Sequence, residues 1–118
     1  MRERGKMTDV KRVTDRDLED LISSKKEAFG VVFMSAASFA CEQLRPEVEA
    51  LPAALLHRLK IYWLDADENP TITKELSIDA LPTLAIYREE EEIARYEGPY
   101  SKEALRSRIE ELLFKKKD

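Results

Sequence analysis

Apolar residues recur along this chain in two rhythms, short unbroken runs and stripes at helical spacing. Val31, Val32, Phe33 and Met34 form one unbroken run, and Ile61, Tyr62, Trp63 and Leu64 form another. Runs this short, with no polar interruption, mark strands covered on both faces, as in a sheet between helices. Leu84, Ala85, Ile86 and Tyr87 predict a further strand, and Ile93, Ala94, Arg95 and Tyr96 another. The acidic residues 89–92 between them predict the turn of an antiparallel hairpin, although no glycine stands there. Residues 11–13 predict a short edge strand.

The helical rhythm appears in four places. Thr14 followed by Asp15 and Asp17 reads as an N-cap with acids in the first turn, and Leu18, Leu21 and Ile22 form the stripe that follows. From Ser38 a longer stripe runs through Leu44, Val48, Leu51, Leu55 and Leu59. Pro46 and Pro52 interrupt it, and each removes a backbone donor, so a kink or a break into two segments is expected. A short helix starts at Asn69 or Thr71 and ends at Leu76. A last one is capped by Ser101, carries Leu105, Ile109, Leu112 and Leu113, and finishes at the lysines of 115–117. Strand and helix alternate three times before the hairpin, which is the order of an α/β fold with parallel βαβ units. Residues 1–10 are charged and patternless, and are expected to be a flexible tail ahead of a single domain over 11–118.

Composition narrows the function classes. A chain of 118 residues with 43% hydrophobic residues suits one domain with a single core. The net charge of −4 comes from 20 basic and 24 acidic residues that are interspersed, so no broad basic face is offered to nucleic acid. No apolar run approaches the length of a membrane span, and the first ten residues lack an apolar segment after their basic ones. A cytoplasmic protein that engages no membrane is expected. With one cysteine no internal disulfide forms, which is compatible with a reducing compartment.

Candidate chemistry collects where the first apolar run meets a helix, at Ser38-Phe39-Ala40-Cys41. Ser38 suits an N-cap that accepts from the N–H of Ala40 or Cys41, which puts Cys41 in the first turn. This strand, turn and helix resemble the active-site segment of the thioredoxins, whose signature is Cys-x-x-Cys at such a helix start with a proline five residues after the second cysteine. That proline is Pro46 here. Leu81-Pro82-Thr83 is similar to the family's cis-proline loop, Asp67-Glu68-Asn69-Pro70 follows the third strand as in the family, and Gly98 precedes the last helix. The likeness covers about residues 11–114. It implies a thioredoxin-like three-layer sandwich: a mixed central sheet with three central parallel strands and a C-terminal hairpin, helices on both faces, and a cis-proline loop at Pro82.

The same resemblance locates what is missing. The family's attacking cysteine is Ser38 here, and only the second, resolving position is kept, as Cys41. The family's buried carboxylate falls at Val32 and its accompanying lysine at Trp63. Its two tryptophans fall at Met34 and Ala37, and its inner Gly-Pro at Phe39-Ala40. All six departures touch one chemistry, so the chain reads as a redox-degenerate relative with Ser-x-x-Cys.

Two readings of Cys41 stand: an inert packed thiol among Val32, Phe39 and Leu44, or a thiol that forms a mixed disulfide with a partner, glutathione or a second copy of the chain. Alone it cannot finish a dithiol cycle, because releasing a mixed disulfide needs a second thiolate. Ser38 as a nucleophile needs a base within reach. The one histidine, His57, stands 19 residues on, roughly 28 Å along a continuous helix, and is expected to be an ordinary side chain. One Cys and one distant His make no zinc site, and Asp65, Asp67, Glu68 and Asn69 lack the pattern of a calcium loop, so neither metal nor cofactor is expected. Pro82 either sets a tight connection or, as in the resembled family, offers its loop to an extended peptide. The expectation is a binding or chaperone-like module that holds a protein or peptide in a groove of Ala37, Ser38, Phe39, Leu81 and Pro82, with Phe39 an apolar residue at an exposed tip. Single-thiol exchange at Cys41 is the alternative, and the chain is expected to be a monomer or a Cys41-linked dimer.

Overall fold

Phe29–Met34 forms β2, the middle strand of a five-stranded sheet whose order is β1-β3-β2-β4-β5. The other strands are β1 (Val10–Val13), β3 (Lys60–Asp65), β4 (Thr83–Arg88) and β5 (Glu91–Glu97). The helices are α1 (Asp15–Ser24), α2 (Phe39–Glu49), α3 (Ala53–Arg58), α4 (Pro70–Glu75) and α5 (Lys102–Phe114). This computed structural model describes residues 10–98 and 101–114. The expected tail up to residue 9, Pro99 and the lysines of 115–117 lie outside the described residues, as does the side chain of Leu113. Val10, expected in the tail, begins β1 and pairs with Ile61.

Strands β1, β3 and β2 are parallel, and β4 and β5 are antiparallel to their neighbours. The parallel trio therefore runs from one edge to the middle rather than occupying the centre. All six residues of β2 are buried, as its apolar run required. Val32 and Met34 point to a core built with Leu44 and Val48 of α2, Leu55 of α3 and Leu105 and Ile109 of α5. Phe29, Val31 and Phe33 point to the other face, where Leu18 of α1 and Ile72 of α4 cover them. The result is the expected three-layer α/β sandwich. Gly30 leaves room on the first face: a Cβ there would stand 3.1 Å from Ile86 Cδ1 and 3.2 Å from Leu84 Cδ1.

Local signals set most boundaries. Thr14 and Asp17 form a reciprocal capping box on α1. Helix α2 runs through Pro46, and the break falls at Pro52, which becomes the N-cap residue of α3. Pro46 removes the donor for the Glu42 carbonyl, and both residues are exposed. At the end of α4, Arg95 of β5 donates from Nη2 to the Leu76 carbonyl (2.7 Å) and from Nη1 to the Ser77 carbonyl (2.8 Å). Its other donors grip both oxygens of Glu92, at 2.6 and 2.8 Å.

The hairpin turn is tighter than expected. Only Glu89 and Glu90 form it, Arg88 pairs with Glu91 across its base, and Glu91 and Glu92 belong to β5. Both turn residues have positive φ, 51° and 72°, the geometry for which Asn-Gly is suited. Each glutamate there works against a steric cost of about 1 kcal/mol. Replacing the pair, Glu89→Asn with Glu90→Gly, should stabilise the fold by about 1–2 kcal/mol and raise Tm by several degrees, read by thermal denaturation. An unchanged or lower Tm would show that the turn carries no such cost.

Candidate functional site

The site is built at the carboxyl ends of β2 and β3. Met34 lies opposite Asp65, and its carbonyl accepts the Ala66 N–H at 2.8 Å, so the two strands end at one level. Ser35 follows, and it is buried. Its hydroxyl donates to Asp67 Oδ2 at 2.5 Å and accepts the Ala37 N–H at 3.2 Å. Its backbone N–H points at Cys41 Sγ, 3.3 Å away. One residue thus fixes the turn of residues 35–38 and the loop after β3, and holds the thiol in place.

Ser38 caps α2 as expected, and of the two donors considered it takes the Cys41 N–H, at 3.3 Å. With that bond its hydroxyl has a structural duty. Cys41 is 1% exposed and belongs to the core of Val32, Met34, Leu44, Trp63 and Leu84. Of the two places expected for Phe39, beside Cys41 and at an exposed tip, it takes the second: Phe39 is 76% exposed. Residues two apart on a helix face opposite ways, so a buried Cys41 turns Phe39 outward. Val32 and Trp63 are direct partners in the β2–β3 register, both buried, and the Arg45 guanidinium lies 5.2 Å from the Trp63 ring centroid. Where the resembled family has a carboxylate and a lysine, this chain packs two apolar side chains, of which Trp63 lies under a cation–π contact.

Leu81 and Pro82 are joined by a cis peptide bond. Thr83 pairs with Phe33, which sets the Leu81-Pro82 loop beside the end of β2 and hence beside the turn of residues 35–38. The Pro82 carbonyl accepts the Gly98 N–H at 2.8 Å, and Thr83 Oγ1 donates to the Ala80 carbonyl at 2.6 Å. Pro82 itself is buried and Leu81 is half-buried, whereas Ala37 and Phe39 are exposed. The expected groove residues therefore gather at one end of the sheet, but Phe39 and Ala37 supply its solvent face and Pro82 its support.

The remaining candidates are dispersed. His57 is exposed on α3. Asp65 Oδ1 accepts the Asp67 N–H at 2.9 Å, the expected turn. Asn69 is the N-cap residue of α4, yet its side chain serves elsewhere, donating to the Asp65 carbonyl and accepting the Asp15 N–H. Among the described residues no three or more His, Cys, Asp or Glu side chains are arranged to hold a metal ion, and no helix is long and apolar enough to cross a membrane. Ser35 and its bond to Asp67 were missed by sequence reasoning. The signal was present: two apolar runs ending in parallel register bring the residues just after them together.

The thioredoxin family model matches residues 9–111. Over 105 residues the chain is 25% identical to chloroplastic thioredoxin Y1 of Arabidopsis thaliana, a match covering 89% of this chain and 61% of that protein. It therefore spans about three fifths of that relative's length. Over 100 residues it is 27% identical to thioredoxin of Porphyra purpurea, covering 85% of this chain and 94% of that one. Among solved structures, chloroplastic thioredoxin z superposes with a TM-score of 0.77 at 25% identity, over 88% of this chain and 94% of that one.

Removing the Ser35 hydroxyl leaves the Ala37 N–H and the Asp67 carboxylate without that partner. Ser35→Ala should cost about 1–2 kcal/mol in urea denaturation. A double-mutant cycle with Asp67→Ala should return a coupling of about 1 kcal/mol. Strict additivity would show that the Ser35–Asp67 contact contributes nothing.

Proposed function

The chain belongs to the thioredoxin family, and from that premise we propose that it is a redox-degenerate member that works by binding, holding an extended peptide or partially unfolded protein at the Phe39 end of the sheet. The observation that carries this reading is the state of its one thiol: Cys41 is 1% exposed, in the shielded position of the family's pair, while Ser38 stands at the attacking position as a helix cap. A dithiol cycle needs one thiolate to open the substrate disulfide and a second to release the mixed disulfide. This chain holds a single sulfhydryl. Binding needs no sulfur. Phe39 offers an apolar side chain to a partner, and the neighbouring Leu81-Pro82 loop offers backbone groups for strand addition. Thioredoxin z is described by a type-specific target recognition, and Phe39 is the residue we assign to recognition here.

The rival reading is single-thiol exchange, in which the Cys41 thiolate attacks an external disulfide, releases one of its sulfurs as a thiol and is freed by a second external thiol such as glutathione. The N–H of Ser35 directed at Sγ favours it. The two readings separate on accessibility. In the binding reading an aromatic disulfide reagent should modify Cys41 at least about a hundredfold more slowly in the folded protein than in denaturant, since reaction waits for local opening. Comparable rates, together with disulfide reductase turnover that Cys41→Ala abolishes and Ser38→Ala spares, would replace the binding reading with the exchange one.

Phe39→Ser should leave stability within about 0.5 kcal/mol, because the ring is exposed. It should weaken binding of a fluorescent, extended apolar peptide several-fold, read by anisotropy. Equal affinity in the variant and the parent would remove the Phe39 surface from the proposal.

A further inference from the structure

The loop that delivers Leu81 and Pro82 to the Phe39 end is held by its carbonyls. Arg95 of β5 takes those of Leu76 and Ser77, the Thr83 hydroxyl takes that of Ala80, and the Gly98 N–H takes that of Pro82. Helix α4 ends just ahead of it in a two-bond stop: the Ile78 N–H donates to the Thr73 carbonyl and the Ser77 N–H to the Lys74 carbonyl, both at 3.0 Å. Such a stop uses one left-handed residue, and Ser77 supplies it with a φ of 57°. Glycine takes that conformation without steric cost, and serine does not.

Under the loop lies a second cost. Tyr87 is 2% exposed and belongs to the core cluster of Ile72 and Ile78, against which Leu76 and Leu81 also pack. Among the described residues no group accepts from its hydroxyl. Burial, and then the charge of Glu92, raise its pKa, so it keeps its proton at neutral pH and remains a donor without an acceptor. Glu92 is the partner of Tyr87 in the β4–β5 register, and Arg95 engages both of its oxygens. The carboxylate opposite the phenol is thus committed to the guanidinium that holds the loop.

We propose that residues 76–81 form a strap that opens and closes as one unit over Tyr87, with Arg95 as its latch. Closed, the strap carries the left-handed Ser77 and the unpaired phenol; open, Ser77 leaves that conformation and water reaches the Tyr87 hydroxyl. Arg95 opposes the opening with its bonds to the Leu76 and Ser77 carbonyls. The closed strap keeps Leu81 and Pro82 at a fixed place beside the Phe39 end, so the latch governs peptide affinity from the far side of the loop, a step that rests on the binding reading above.

Native-state hydrogen exchange on the full chain, labelled with nitrogen-15, tests the strap without any peptide. The amides of Ser77 and Ile78 should exchange at least about a hundredfold faster than those of Val31, Val32 and Phe33 in β2. Tyr87→Phe, which removes the hydroxyl and keeps the ring, should slow exchange at Ser77 and Ile78 several-fold. Arg95→Met should speed it about tenfold while the β2 amides change less, and should weaken binding of the extended apolar peptide several-fold. Faster strap exchange in Tyr87→Phe, unchanged strap rates in Arg95→Met, or equal acceleration throughout the sheet would overturn the proposal. If the parent binds no peptide, the binding reading fails and the exchange pattern still decides the strap. A parent that binds, with affinity that Arg95→Met leaves unchanged, would sever the strap from the Phe39 end.

Discussion

A strand buried on both faces must hand the chain to its next element without help from water, and the architecture at the carboxyl end of β2 follows from that constraint. The Met34 carbonyl turns to Ala66, the Ser35 N–H to the Cys41 sulfur, and the Ser35 hydroxyl to Asp67 and to the Ala37 N–H. Each bond uses a group that burial would otherwise leave unsatisfied, at a cost comparable to the loss of the bond itself. Turn, loop and helix start are thereby fixed relative to one another. The Phe39 surface inherits its rigidity from the buried polar groups behind it.

At the same end of the sheet the interior is apolar. Val32 and Trp63 fill the floor with apolar volume, and Arg45 closes the outer side of the indole. Such a floor has packing value of its own, because buried large side chains contribute about 1.5–3 kcal/mol each. Burial of Cys41 extends that floor to the helix start. There the Cys41 sulfur packs in the core and the Ser38 hydroxyl caps α2.

Much of this was legible in the sequence where a physical rule acts locally. Thr14 and Ser38 announced their caps, and the unbroken run of residues 31–34 announced a fully covered strand. Pro46 and Pro52 looked alike in sequence, but only the second stands at a helix boundary: Pro46 lies on an exposed side within α2, whereas Pro52 is the N-cap residue of α3. The turn at Glu89 and Glu90 was too broad in the sequence reading, because nothing in two glutamates signals positive φ. There the strand pairing on either side imposes the geometry. The Ser35–Asp67 bond required knowing the β2–β3 register, a tertiary fact, whereas Phe39 was expected at an exposed tip and stands there.

The grip of Arg95 on the end of α4 bears on the order in which the chain can assemble. A six-residue helix has no standing of its own in water, and the carbonyls of Leu76 and Ser77 are tied down from a strand that begins 14 residues later. On a ribosome this segment emerges before its fastener exists. Vectorial synthesis thus leaves residues 70–77 loosely held until β5 arrives, so that the final hairpin both completes the sheet and secures a helix made earlier.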